Sequence, residues 1–242
     1  MVKNIYCTIK YTCCSLMMSM AVTVGVAQEK IADRLNTPAA LENMKMRGLW
    51  SQSKNAAGAL LDYSFRYASA DLEYRFYDGN FRRPQQGESG NNVVFDTEGG
   101  GKVKDFFAWG SFNYSRDKVK EANFNSSIID PYRGMPYYTA DTNVSNWNNQ
   151  HYRLKMRVAT PQFWNFLSFG LDGYYQNSVG AKQRDMRTKS VFYTIIVRPG
   201  VVLSAGKNHR FGLDFEYASV REDLEMKAVN SYVEQTLSLI HI

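Results

Sequence analysis

From about position 59 onward, apolar and polar residues alternate. In 151–159, Tyr152, Leu154, Met156 and Val158 are apolar, while His151, Arg153, Lys155 and Arg157 interleave with them. A helix would mix these two sets around its circumference, whereas a strand puts each on its own face. The same two-residue period recurs in 69–77 (Ala70, Leu72, Tyr74, Phe76), 105–115 (Phe106, Ala108, Phe112, Tyr114) and 166–176 (Leu167, Phe169, Leu171, Tyr175). It returns in 191–203 (Val191, Tyr193, Ile195, Val197, Val201, Leu203) and 210–220 (Phe211, Leu213, Phe215, Tyr217), with a weaker strand through Val93, Val94 and Phe95. The pattern predicts about seven strands, most close to the roughly 9–11 residues of a tilted membrane strand.

The links alternate as well. Segments 98–102, 160–165 and 205–209 are short, with Gly99, Gly100 and Gly101 expected to make a tight turn, while 78–91, 116–150 and 177–189 are long. Outer-membrane barrels have short periplasmic turns and long external loops, which fixes the direction of every strand. Tyr74, Tyr114, Tyr152, Tyr175, Tyr193 and Tyr217 then fall near the external strand ends, and Phe106 and Phe211 mark the opposite rim. An aromatic girdle predicts this sorting. The expected fold is all-β, a transmembrane antiparallel outer-membrane β-barrel of which this chain is the N-terminal fragment. A soluble β-sandwich is the runner-up, and it gives no reason to sort tyrosines by strand direction.

Residues 1–27 read as a signal peptide. Lys3 and Lys10 precede a short apolar run, and Gly25, Val26 and Ala27 stand before a polar start. Residues 28–58 form a periplasmic lead-in or small plug, with Thr37 and Pro38 opening a short helix. Residues 59–236 form the N-terminal part of the barrel. The last six, LSLIHI, read as a doubtful tail, an adaptor-derived artefact in place of a closing strand.

Composition narrows the chemistry. The formal charge is +6, and the three cysteines, Cys7, Cys13 and Cys14, all fall within the signal peptide. The exported chain would have no disulfide framework, thiolate metal site or cysteine nucleophile. The mild charge gives no sign of a nucleic-acid partner. His151 and His209 lie at opposite rims of the expected barrel, so no shared metal site follows, and no cofactor is expected. Gly99-Gly100-Gly101 lacks the Lys-Ser/Thr and helix of a phosphate loop. Ser145 and His151 are the residues on which a serine hydrolase would have to rest, without a visible acid.

Two groups of residues are candidate binding elements. Arg153, Lys155 and Arg157 form a basic column facing the lumen, a wall that favours anionic solutes unless structural pairing consumes it, with Asp105 and Asp172 as the acids nearest in sequence. The loop 128–149 combines prolines with aromatic faces. Tyr132, Arg133, Tyr137, Tyr138 and Trp147 are its candidate contacts to a sugar or peptide.

The stretches NYSRDKVKEANFNSSIIDPYRGMPYYTADT and SNWNNQHYRLKMRVATP, together with LWSQSKNAAGALLDY and DGNFRRPQQGE, resemble an uncharacterised family of Gram-negative outer-membrane barrel proteins about twice as long as this chain. That resemblance implies the fold and carries no activity. A weaker likeness links Asn55-Ala56-Ala57-Gly58 to the Asn-Pro-Ala-Gly found near the plug of outer-membrane fatty-acid channels, with Ala56 in place of the proline. The expected function is non-enzymatic handling or uptake of a small solute or surface partner at the cell outer membrane, with membrane lipid and the barrel-assembly machinery as partners. The alternatives are a structural or docking barrel with a filled lumen, and an outer-membrane hydrolase.

Overall fold

The computed structural model describes residues 38–62, 66–82, 86–123, 136–206, 209–230, 232 and 236–241. The chain divides into two units, Met1–Gly48 and Leu49–Ile242. In the first, α1 (Pro38–Arg47) opens on a proline, whose missing N–H costs nothing at a helix start, and a Glu42–Lys45 pair of 2.8 Å lies one turn apart. The signal-peptide reading lies outside the described residues.

The second unit begins with α2 (Leu49–Gln52), a 3-10 turn (Ala56–Gly58) and α3 (Ala59–Asp62). Then come the strands β1 (Tyr67–Asp78), β2 (Ser89–Val103), β3 (Phe106–Ala122), β4 (Tyr137–Asp141), β5 (Ser145–Ala159), β6 (Leu167–Lys182), β7 (Arg187–Ala205), β8 (His209–Asp214), β9 (Tyr217–Lys227) and β10 (Leu237–His241). One antiparallel sheet runs β1-β2-β3-β5-β6-β7-β8, and β9 also pairs with β7. Gly200 faces Asp214 and Val197 faces Tyr217 in a single register, so β8 and β9 are two halves of one strand. The break falls opposite Pro199, which accepts from Phe215 N at 3.0 Å but has no N–H to return. The sheet is therefore the seven-strand meander that the alternation predicts. Among the described residues, β1 and the β8–β9 strand each pair on one side only.

Three boundaries differ from expectation. The glycines 99–101 lie within β2, which is fifteen residues long rather than a short strand, and the turn is Lys104–Asp105, with Lys104 at φ 54°. Gly100 is needed for a different reason: a Cβ there would come within 2.7 Å of Trp109 on the neighbouring strand. The third long link shrinks to 183–186, because β6 and β7 extend into it. The second long link holds β4, which pairs with the tail strand β10. A strand needs only hydrogen-bonding backbone and alternation to extend, so polar sequence at a strand end resembles a loop.

The register sorts the side chains into two faces. The apolar set lies together and is exposed on every strand, including Leu72 (77 %), Met156 (48 %), Ile195 (40 %) and Leu213 (72 %). At the short-turn end, Phe163, Trp164, Phe166 and Phe169 cluster with ring centroids 6.0–6.2 Å apart, and all four are exposed. Trp164 and Asn165 hold this turn at φ 50° and 60°, a left-handed backbone that side chains other than glycine enter only at a cost of order 1–3 kcal/mol. Nearer the long-loop end, Tyr114 and Tyr152 touch at 5.0 Å between rings.

Candidate functional site

The polar face is closed at its short-turn end by the segment 49–62. Asp62 accepts the backbone N–H groups of Trp50 and Ser51, which satisfies the start of α2. Asn55 Oδ1 caps the following turn through Ala57 N at 2.9 Å, while its Nδ2 donates to the carbonyls of Val201 and Leu213, both at 3.1 Å. Asn55, Ala56, Ala57 and Ala59 are buried. The wall is cut to receive them: a Cβ at Gly170 would stand 2.2 Å from Ala57 N, and one at Gly200 would stand 2.3 Å from Asn55 Oδ1. Ser168 Oγ completes the seat by donating to Ala57 O at 3.1 Å.

A chain of charges clamps this wedge. Lys54 meets Glu216 at 3.2 Å, Glu216 meets Arg198 Nε at 2.7 Å, and Arg198 Nη1 meets Asp172 Oδ1 at 2.7 Å. Asp172 Oδ2 lies 2.9 Å from Arg157 Nε, an ion contact without hydrogen-bond alignment. The Arg157 guanidinium then donates to the carbonyls of Ser51 and Ser53, back in the wedge.

The basic column is thus three different things. Arg157 holds the wedge. Arg153 Nη1 donates to Asn113 Oδ1 at 2.9 Å. Lys155 is exposed, with its Nζ 6.0 Å from the Tyr174 ring centre, and has no ion-pair partner among the described residues. Asp172 pairs with the column as expected, but Asp105 does not: it sits in the β2–β3 turn, 3.8 Å from Lys102.

Beside the column lies a cleft of about 310 Å³ over β1, β2 and β3, whose walls include Asp71, Glu73, Asp96, Asn113, Asp117 and Arg153. Asn113 spans its floor, donating from Nδ2 to Asp96 Oδ2 at 2.7 Å and accepting from Arg153. Sequence reading missed this cleft, since its acids lie far from the basic column along the chain and meet it only through the register of four strands.

The expected loop contacts scatter. Tyr132 and Arg133 lie outside the described residues. Tyr137 and Tyr138 are in β4, opposite His241 and Ile240 of β10, and Tyr137 packs edge-on against His241 at 5.0 Å. Trp147 is a correction: it belongs to β5, only 5 % exposed, because the strand extends to Ser145 and carries it to the buried face. Asp141 of β4 and Lys182 of β6 form an ion pair closed off from solvent.

Ser145 does not meet His151. Its Oγ accepts from Arg184 N at 3.0 Å. His151 lies instead between Ser178 Oγ (2.8 Å from Nδ1) and Asp117 Oδ2 (3.0 Å from Nε2). The order is that of a nucleophile, base and acid, yet Ser178 has 0 % exposure and its Oγ accepts from Gln176 Nε2 at 3.0 Å. An ester carbonyl cannot approach a covered hydroxyl, so the trio ties β3, β5 and β6 together. The group of His, Cys, Asp and Glu side chains that a metal ion needs does not occur among the described residues.

The model of a family of unknown function, DUF6850, matches residues 56–241, from the wedge to the last strand. No curated protein and no solved structure matches the chain.

Proposed function

The chain belongs to the DUF6850 family, and we propose that it forms part of the wall of an outer-membrane β-barrel whose polar face handles a small solute. The observation that carries this reading is the apolar face, exposed across every strand of the meander. In water, such a face needs a second layer over it. Hydrocarbon covers it without one, provided that every backbone group is paired. The exposed aromatic turn at Phe163–Phe166 and the Tyr114–Tyr152 pair suit the two interfaces of a bilayer, with the membrane-spanning part of each strand between them. Membrane lipid and the barrel-assembly machinery are the partners this implies.

The test is fractionation of the full-length protein, with gel migration compared before and after heating. Recovery with the outer membrane and a heat-dependent shift are expected. Release into the soluble periplasm would overturn the reading.

A second reading, a docking barrel with a filled lumen, is favoured by the wedge and its clamp of charges. Conductance of the full-length protein in a planar bilayer separates the two. Solute handling expects ion flow through the native protein, and a filled barrel expects none until the wedge is loosened.

A further inference from the structure

Past the Tyr114–Tyr152 pair, the exposed face of β3 changes from apolar to cationic. Phe106, Phe112 and Tyr114 share that face, and the same alternation carries Arg116, Lys118 and Lys120 onto it, toward the long-loop end. All three are exposed, and none forms an ion pair among the described residues. Their neighbours across the sheet are neutral: Val93, Asn91 and Ser89 on β2, with Gln150 and Asn148 on β5 beside Arg116 and Lys118. The acid between them in sequence, Asp117, points to the other face, where it meets His151. Lys120 lies near the carboxylate of its chain neighbour Glu121 without pairing with it. Asp78 stands two strands from Lys120, across Ser89, about 10 Å away. Elsewhere at this height a cation is met by an acid. On the row of Lys118, Lys189 of β7 stands directly opposite Glu225 of β9.

We propose that Arg116, Lys118 and Lys120 dock the phosphate groups of lipid headgroups in the leaflet at the long-loop end. This deepens, and rests on, the outer-membrane reading above. Alternate residues stand about 7 Å apart along a strand, so the ladder begins about 7 Å beyond Tyr114 and spans about 14 Å. Belt aromatics sit at headgroup level. Long basic side chains just above them lay their stems along apolar surface and hold their charge among the headgroups. That surface continues to this height: Val93 flanks Arg116, Phe76 lies on the row of Lys118, and both are exposed. The Arg116 guanidinium can grip two oxygens of one phosphate. The ladder is longer than one phosphate, so a headgroup with two engages more of it.

The test is equilibrium binding of full-length protein, in uncharged detergent, to lipid A with its two phosphates and to lipid A with both removed. The phosphorylated form is expected to bind, more weakly as salt rises. Removing the phosphates should weaken binding about a hundredfold, since each cation near an anionic surface contributes roughly a factor of five. Arg116→Gln, Lys118→Gln and Lys120→Gln combined should produce the same loss, and Lys189→Gln alone should produce none. None of these side chains is bonded into the sheet, so the variants should keep the heat-dependent gel shift. Inorganic phosphate should fail to displace the lipid. With a heat-shifting protein, equal binding of the two forms of lipid A, an equal loss from Lys189→Gln, or displacement by inorganic phosphate at the lipid's own concentration would each overturn the ladder proposal alone. Recovery of the protein in the soluble periplasm would overturn the membrane reading and the ladder with it.

Discussion

The two ends of the polar face are built from one alternation and behave as opposites. At the short-turn end the inward positions on β6, β7 and β8 are Ser168, Gly170, Gly200, Val202 and Gly212, small enough for the wedge backbone to lie against the strands. Over β1, β2 and β3 the inward positions include Asp71, Glu73, Arg75, Asp96, Asn113 and Asp117, and the face stays open. A period of two decides which face a residue occupies. The size of the inward residue decides whether the site is sealed or left available.

The largest expected effect breaks the premise both ends share, that the polar set faces inward. Met156→Arg places a charge on the exposed apolar face and should impair membrane insertion by roughly 2–4 kcal/mol, as basic residues do near a bilayer midplane. Lys155→Met, one residue away on the other face, should insert normally. Assembly of both variants into vesicles, scored by the heat-dependent gel shift, measures this. Normal insertion of the arginine variant would reverse the assignment of faces.

Next comes the seat of the wedge. Gly170→Leu drives side-chain atoms into Ala57, where a Cβ alone already falls 2.2 Å from its backbone nitrogen. Overpacking costs typically 1–3 kcal/mol, and a rigid backbone on both sides leaves expulsion of the wedge as the relief. Cleavage by trypsin after Lys54 should become fast. Asn55→Ala is the milder version: it removes the two bonds to Val201 O and Leu213 O and the turn cap, together on the order of 1–3 kcal/mol. Trypsin sensitivity between that of the native chain and Gly170→Leu is expected. If the two variants leave Lys54 equally protected, the wedge is held by something other than its seat.

The alternation made the strands and their faces legible, down to the opposition of Met156 and Arg157. It located the seven strands of the meander because a buried or lipid-covered face is written into every second residue. Strand ends were less legible. Gly99 to Gly101 look like a turn and lie in β2, and Trp147 looks like a loop residue and lies in β5, because a strand can continue through residues that no pattern marks. The site was legible only in part. Arg153, Lys155 and Arg157 share a face as expected, but their roles are set by Asn113, Tyr174 and Ser51, which lie on other segments. The pair of His151 with Ser178, separated by a whole hairpin, leaves no local signal at all.

The smallest expected effect sharpens the contrast at a third place, beyond the membrane-spanning part of β3. There Glu121, at φ 54°, lies beside Glu88, and Arg82 joins Glu88 and the Glu121 carbonyl. A hydrogen bond with Glu88 and the repulsion between the two carboxylates, with a lesser contribution from burial, hold the Glu121 carboxyl above the ordinary carboxylate range. A raised value in the folded state means that folded protein takes up this proton more readily than unfolded chain does. The local structure therefore gains stability as pH falls through the raised value and loses that gain as pH rises through it. Among the described residues the wedge end offers no such pair, since Asp172 and Glu216 each meet an arginine. Hydrogen exchange at Gly79 and Glu88 should slow as pH falls through that raised value, once corrected for intrinsic rates. Glu121→Gln keeps a hydrogen-bonding group without the charge and should flatten that dependence. Faster exchange toward acid in the native chain would mean that loss of the Arg82–Glu88 ion pair dominates instead.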